Sequence, residues 1–176
     1  MRKAIKIICL CSTVLICPEI WASPITIRYA LIVGNNNGID ENGRQPLAGL
    51  LHAERDAGRI RDILVKRAHF DESEKRTKLL IGAGPSEVKA ALQSLIDQKE
   101  KDKAYFKDVS TFFFFYFSGH GLNGSLLLNG GALSAEEAGN IFTAFNATFS
   151  AAVFDSCFSG SLGDTALRAK SIEPSE

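Results

Sequence analysis

Two short segments carry residues able to perform acyl transfer. One is Phe117-Ser118-Gly119-His120-Gly121, and the other is Phe154-Asp155-Ser156-Cys157-Phe158-Ser159-Gly160. A cysteine thiolate is a strong nucleophile towards a carbonyl carbon, and an imidazole can protonate the leaving amine. The oxyanion formed on the way needs hydrogen-bond donors, and the backbone N–H groups of Gly121 and Cys157 are the candidates. Glycines on both sides of His120 let backbone and substrate approach closely. Taken singly, a free cysteine is more often a small buried hydrophobe, and a lone histidine a loop or core residue. The functional reading rests on both standing together at the ends of buried strands.

The intervening sequence supplies those strands. Tyr29 to Val33, Thr77 to Ile81, Phe112 to Phe117 and Phe149 to Phe154 are short apolar runs, read as buried strands. The run Phe112 to Phe117 is wholly aromatic and lacks alternation, so it needs cover on both faces, as a central strand of a parallel sheet does. Helices are expected between the strands. Leu50, Ala53, Ala57, Ile60 and Leu64 recur at helical spacing. Gly84-Pro85-Ser86 opens a second helix whose buried face is Val88, Ala91, Leu92, Leu95 and Ile96, with Lys99 to Lys103 as its solvated end. Ser134 and Glu137 form a capping box before Ala138, Ile141, Phe142 and Phe145, and Leu126 to Leu128 is a short extended piece. Alternating strands and helices imply an α/β fold: a mostly parallel sheet with helices on both faces and ligands beyond the strands' carboxyl ends.

Composition narrows the function classes. The chain has 176 residues, 20 Lys+Arg against 20 Asp+Glu, and four Cys. Zero net charge argues against a nucleic-acid binder with a strongly basic surface. Arg2, Lys3 and Lys6 precede an apolar run from Ile7 to Ile16, and Ala22 offers a small residue for cleavage. This predicts a signal peptide over residues 1–22 and export to the periplasm or medium. The run would make a helix of roughly 15 Å, too short for a stable membrane span. Cleavage removes three basic residues and one acid, leaving 17 basic and 19 acidic, and removes Cys9, Cys11 and Cys17. Cys157 is then the one thiol of an exported chain, a residue to flag as reactive.

The motifs resemble those of the caspase-like cysteine peptidases, the family of caspases, metacaspases and bacterial relatives. Arg28-Tyr29-Ala30-Leu31-Ile32-Val33-Gly34-Asn35-Asn36 resembles the family's first strand and loop, and Ala53-Glu54-Arg55-Asp56-Ala57 its first helix. Tyr116 to Gly121 resembles the histidine motif and Asp155 to Gly160 the cysteine motif. The resemblance implies a three-layer αβα sandwich with strand order 2-1-3-4 in this chain. It implies a His120–Cys157 dyad, with Gly121 supplying an oxyanion N–H. The catalytic domain is expected over residues 26–163, with 164–176 as a loose tail or a linker to an absent small subunit.

Asp155 stands where metacaspases carry an acid in the pocket that selects Arg or Lys. Asp-cleaving caspases have Gln there and use arginines to hold the substrate. Leu50 and Leu51 occupy the matching stretch here, and Arg44 is a substitute. Independently, no Lys or Arg occurs between Val109 and Leu167, whereas Glu136, Glu137, Asp155 and Asp164 do, so the catalytic half favours a cationic side chain. Asp155 is therefore the candidate substrate-binding residue. No cofactor is expected. Asp164 matches one calcium-binding acid of some metacaspases, but the other acids of such a site are not evident. Gly34 to Gly38 lacks dinucleotide-loop spacing and reads as a polar turn, and His52 and His69 lack metal-ligand spacing.

The family's fold has two further strands beyond the cysteine strand, which are missing from this chain. The Phe149–Phe154 strand is thus expected at a sheet edge, completed by a small-subunit segment or partner chain. Two readings follow. One is a cysteine endopeptidase that cleaves a protein or peptide after Arg or Lys through the His120–Cys157 dyad. The other is a catalytically impaired half-domain that serves as an interaction module.

Overall fold

The computed structural model describes residues 25–38 and 48–157. The expected signal segment, Arg44, Asp164 and the 164–176 tail lie outside the described residues. The elements run β1 (Thr26–Gly34), α1 (Ala53–Ala68), β2 (Thr77–Ile81), α2 (Pro85–Tyr105), β3 (Ser110–Ser118), β4 (Gly121–Leu122), β5 (Ser125–Leu128), β6 (Gly131–Ser134), α3 (Ala135–Phe145) and β7 (Phe149–Asp155). Four strands form a parallel sheet in the order β2-β1-β3-β7. This is the expected order 2-1-3-4, with β7 as the fourth strand. The Leu126–Leu128 piece belongs to a second, antiparallel sheet, β4-β5-β6, inserted after the histidine loop.

The aromatic run is the centre of the sheet because β3 is paired on both sides. Alternate side chains serve opposite faces. Phe113, Phe115 and Phe117 join Tyr29, Leu31 and Val33 beneath α2 and α3, and Phe113 stacks on Phe145 at 4.2 Å between centroids. Tyr116 packs with Ala30, Ile32, Ala57 and Leu64 on the α1 face. Each fully buried large apolar side chain is worth roughly 1.5–3 kcal/mol. The core on both faces therefore supports the three-layer αβα sandwich.

Small residues set the distance between layers. A Cβ on Gly34 would lie 2.7 Å from Ala57 Cβ and 2.8 Å from Glu54 Cα. Only glycine lets the end of β1 meet the start of α1 this closely. The turn after it is polar and internally bonded, as expected. Buried Asn35 donates to the Ala83 carbonyl at 3.0 Å, while Asn36 and Glu54 exchange bonds at 3.2 and 3.3 Å.

Three sequence expectations are corrected. Leu50 precedes α1 and is exposed, because the helix starts at Ala53. The end of α2 is not wholly solvated: Lys99 and Asp102 are each 4% exposed. Lys99 donates to the Phe145 carbonyl at 2.5 Å, capping the C-terminal end of α3. Asp102 accepts the Tyr29 hydroxyl at 2.6 Å and two Arg76 bonds at 2.8 and 2.7 Å. A charge run read by composition thus hides two buried ions that lock α2 to its neighbours. Finally, β7 is not a buried strand. It lies at the sheet edge, with Phe149 61% and Val153 45% exposed.

Candidate active site

Parallel register brings the chemistry to one edge. Gly34, Ser118 and Asp155 are in register across β1, β3 and β7, so three strand ends finish together. Backbone bonds continue past them. Asn35 N–H donates to the Ser118 carbonyl at 2.9 Å, and Gly119 N–H to the Asp155 carbonyl at 3.2 Å. The histidine loop is then pinned by the small sheet, where Leu127 N–H donates to the His120 carbonyl at 2.9 Å. Backbone positions, rather than long flexible side chains, therefore set where His120 and Cys157 stand.

The two loops abut. A Cβ on Gly121 would fall inside the van der Waals envelope of the Cys157 carbonyl oxygen, and would sit 3.2 Å from Ser156 Oγ. Glycine at 121 is a packing requirement between the histidine and cysteine loops.

His120 and Cys157 line one cavity of about 400 Å³, together with Asp155, Asp56, Ser118 and His52. Cys157 is a free thiol and exposed. His120 is 6% exposed, and its Nε2 has no hydrogen-bond partner among the described residues; nor does buried Ser156 Oγ. An unpaired buried polar atom is costly, and such atoms concentrate where a substrate or reacting group completes them. A larger groove of about 760 Å³ lies between β2 and α2. It is lined by neither cysteine nor histidine and shares no residue with the cavity at the strands' carboxyl ends.

Asp155 is exposed and accepts a hydrogen bond from Ser118 Oγ at 3.1 Å on Oδ2. The same oxygen lies 3.5 Å from the Tyr116 hydroxyl. Burial pushes the Tyr116 phenol up, a hydrogen bond with Ser118 opposes this in part, and the charges of Asp155 and Asp56 add to the rise, so it stays protonated at neutral pH. Two acids thus line the cavity, and the cysteine motif points to one of them, Asp155. Asp56 sits in the first turn of α1 and accepts from Arg59 Nη1 at 3.3 Å. Its one sequence signal was its place in the helix motif; no spacing rule links position 56 to position 155. His52, set aside for want of metal-ligand spacing, is the residue before α1 and stands on the cavity wall. Gly121 borders the Cys157 carbonyl, beside the cavity.

Among the described residues, no group of three His, Cys, Asp or Glu side chains could hold a metal ion, and no helix is long and apolar enough to cross a membrane. A family model described as a caspase domain, of peptidase family C14, matches residues 27–174. No curated protein matches the chain.

Proposed function

From the premise that the chain belongs to the caspase-domain family of C14 peptidases, we propose that it is a cysteine endopeptidase with His120 and Cys157 as its dyad. The observation that carries the reading is the pairing of a buried imidazole, with its Nε2 unpartnered among the described residues, and an exposed thiol in one cavity at the ends of adjacent parallel strands. His120 takes the proton of the Cys157 thiol, and the thiolate attacks the carbonyl carbon of the scissile bond. The N–H groups of Gly121 and Cys157 receive the oxyanion. His120 gives its proton to the leaving amine as the C–N bond breaks, leaving an acyl-enzyme thioester. Water, deprotonated by His120, then attacks the thioester, releases the acid and restores the thiol.

The side chain preceding the cut is Arg or Lys. Asp155 on the cavity wall offers negative charge where a cation would be held, and Asp56, paired with Arg59 and Arg55, lines the same wall. The reaction as proposed uses no cofactor or metal. The substrate is a protein or peptide, not a nucleic acid, and residues 1–22 direct export to the periplasm or medium.

The exposed β7 edge favours a second reading, in which the chain is an impaired half-domain that binds a partner. Phe149 and Val153 are the exposed apolar residues such a partner or small-subunit segment would cover.

Labelling separates the two. A peptidyl-Arg acyloxymethyl ketone is mixed with the protein, and the thiolate displaces the carboxylate leaving group to form a thioether. Mass added at Cys157 in wild type, and lost in His120→Ala, is the expected result. No labelling under conditions where free cysteine reacts would overturn the peptidase reading and leave the interaction module.

A further inference from the structure

The two acids of the cavity are engaged differently. Asp56 faces two guanidinium groups, Arg59 Nη1 at 3.3 Å and Arg55 Nε at 3.8 Å. Asp155 forms no ion pair among the described residues. Neutral donors meet one of its oxygens instead: Ser118 Oγ is 3.1 Å from Oδ2, and the Tyr116 hydroxyl is 3.5 Å from it. Tyr116 is buried among Ala30, Ile32 and Ala57, so its ring cannot swing away from this position. The position comes from register, since Ser118 lies directly across from Asp155, and Tyr116 two residues earlier projects from the same face.

A carboxylate oxygen has about two lone-pair sites. With Ser118 bonded at Oδ2 and the Tyr116 hydroxyl 3.5 Å from the same oxygen, an incoming cation meets Oδ1. A guanidinium gains most from a two-pronged bond to both oxygens, whereas an ammonium needs only one. We propose that Tyr116, together with Ser118, is a positioning residue that occupies Asp155 Oδ2 and thereby turns the cavity towards lysine rather than arginine side chains. The inference rests on the reading that this cavity takes a basic side chain.

The test uses the full chain and three matched acyloxymethyl ketones, ending in Lys, Arg or Gln. Second-order labelling rates at Cys157 are each divided by the Gln rate of the same variant, so that a general change in thiol reactivity cancels. In wild type the Lys rate equals or exceeds the Arg rate. In Tyr116→Phe the Arg-to-Lys ratio rises by about fivefold, the weight of one ordinary hydrogen bond. Ser118→Ala moves the ratio in the same direction. A second measurement does not depend on labelling: the Tyr116 phenol, followed by carbon NMR of the ring, ionises at lower pH in Asp155→Asn than in wild type. An unchanged Arg-to-Lys ratio in both variants, with basic preference retained, overturns the role of Tyr116 alone. An unmoved phenol titration does the same. Wild type that shows no preference for either basic reagent over Gln overturns the basic-side-chain reading, and this inference with it.

Discussion

Replacing Gly121 by Ala tests how the two loops depend on each other. The substitution keeps the backbone N–H assigned to the oxyanion, so lost activity cannot come from a lost donor. It adds one methyl group, directed at the Cys157 carbonyl oxygen and 3.2 Å from the Cys157 carbonyl carbon. That oxygen is backbone, so it has no rotamer to escape into. The cysteine loop must retreat by about 1 Å to restore normal contact, and a misplacement of that size at a reacting group costs on the order of 100-fold in rate. The assay is the labelling rate of Cys157 by the peptidyl-Arg reagent, read beside thermal denaturation. Gly58→Ala is the control: nothing lies within 4 Å of a Cβ at that helical position, so labelling holds and stability rises by about 0.5–1 kcal/mol. Gly121→Ala labelling within twofold of wild type would refute the claim that the loops are packed against each other.

Other expectations follow from the same geometry. Asp155→Asn removes the acid that lacks its own cation, so the ratio of Arg-ended to Gln-ended labelling falls by at least tenfold; an unchanged ratio removes Asp155 from specificity. Burial pushes the Asp102 carboxyl up, but hydrogen bonds from Arg76, Tyr29 and Gln98 outweigh it and hold the group at about 2, against an ordinary 3.8. A depressed carboxyl stabilises the fold above the unfolded value and loses that contribution as pH falls through the folded one. About 2 kcal/mol of stability is therefore lost between roughly pH 4 and pH 2. Asp102→Asn, measured by denaturant titration across that window, is less stable at pH 6 and has a shallower acid limb; parallel limbs would contradict the assignment. Arg168 and Lys170 suit self-cleavage by a basic-specific peptidase. Mass spectrometry then finds a new C-terminus in wild type and none in Cys157→Ala, and identical masses would remove self-processing.

Local order was legible in the sequence where a single element carried it. The aromatic run from Phe112 could only be a strand covered on both faces, and β3 is central for that reason. The Ser134–Glu137 capping box is present, with Glu137 N–H donating to Ser134 Oγ at 3.1 Å and Ser134 N–H donating to Glu137 Oε2 at 3.0 Å. Where partners are far apart in the chain, the reading failed. Nothing local distinguishes Lys99 and Asp102 from the charges beside them. Their burial depends on the Phe145 carbonyl, 46 residues away, and on Tyr29, 73 residues away.

The amino-acid sequence by itself singled out one histidine and one cysteine as the pair proposed to react, each placed just after an apolar strand. Side-chain chemistry and local strand propensity suffice for that. Only the tertiary structure decided what surrounds them. Parallel register aligned Gly34, Ser118 and Asp155, brought the first turn of α1 to the same edge, and so added Asp56 to Asp155 in one cavity. It also left the apolar face of β7 exposed among the described residues. Register and layer packing are set by contacts between distant segments, and spacing along the chain carries no record of them.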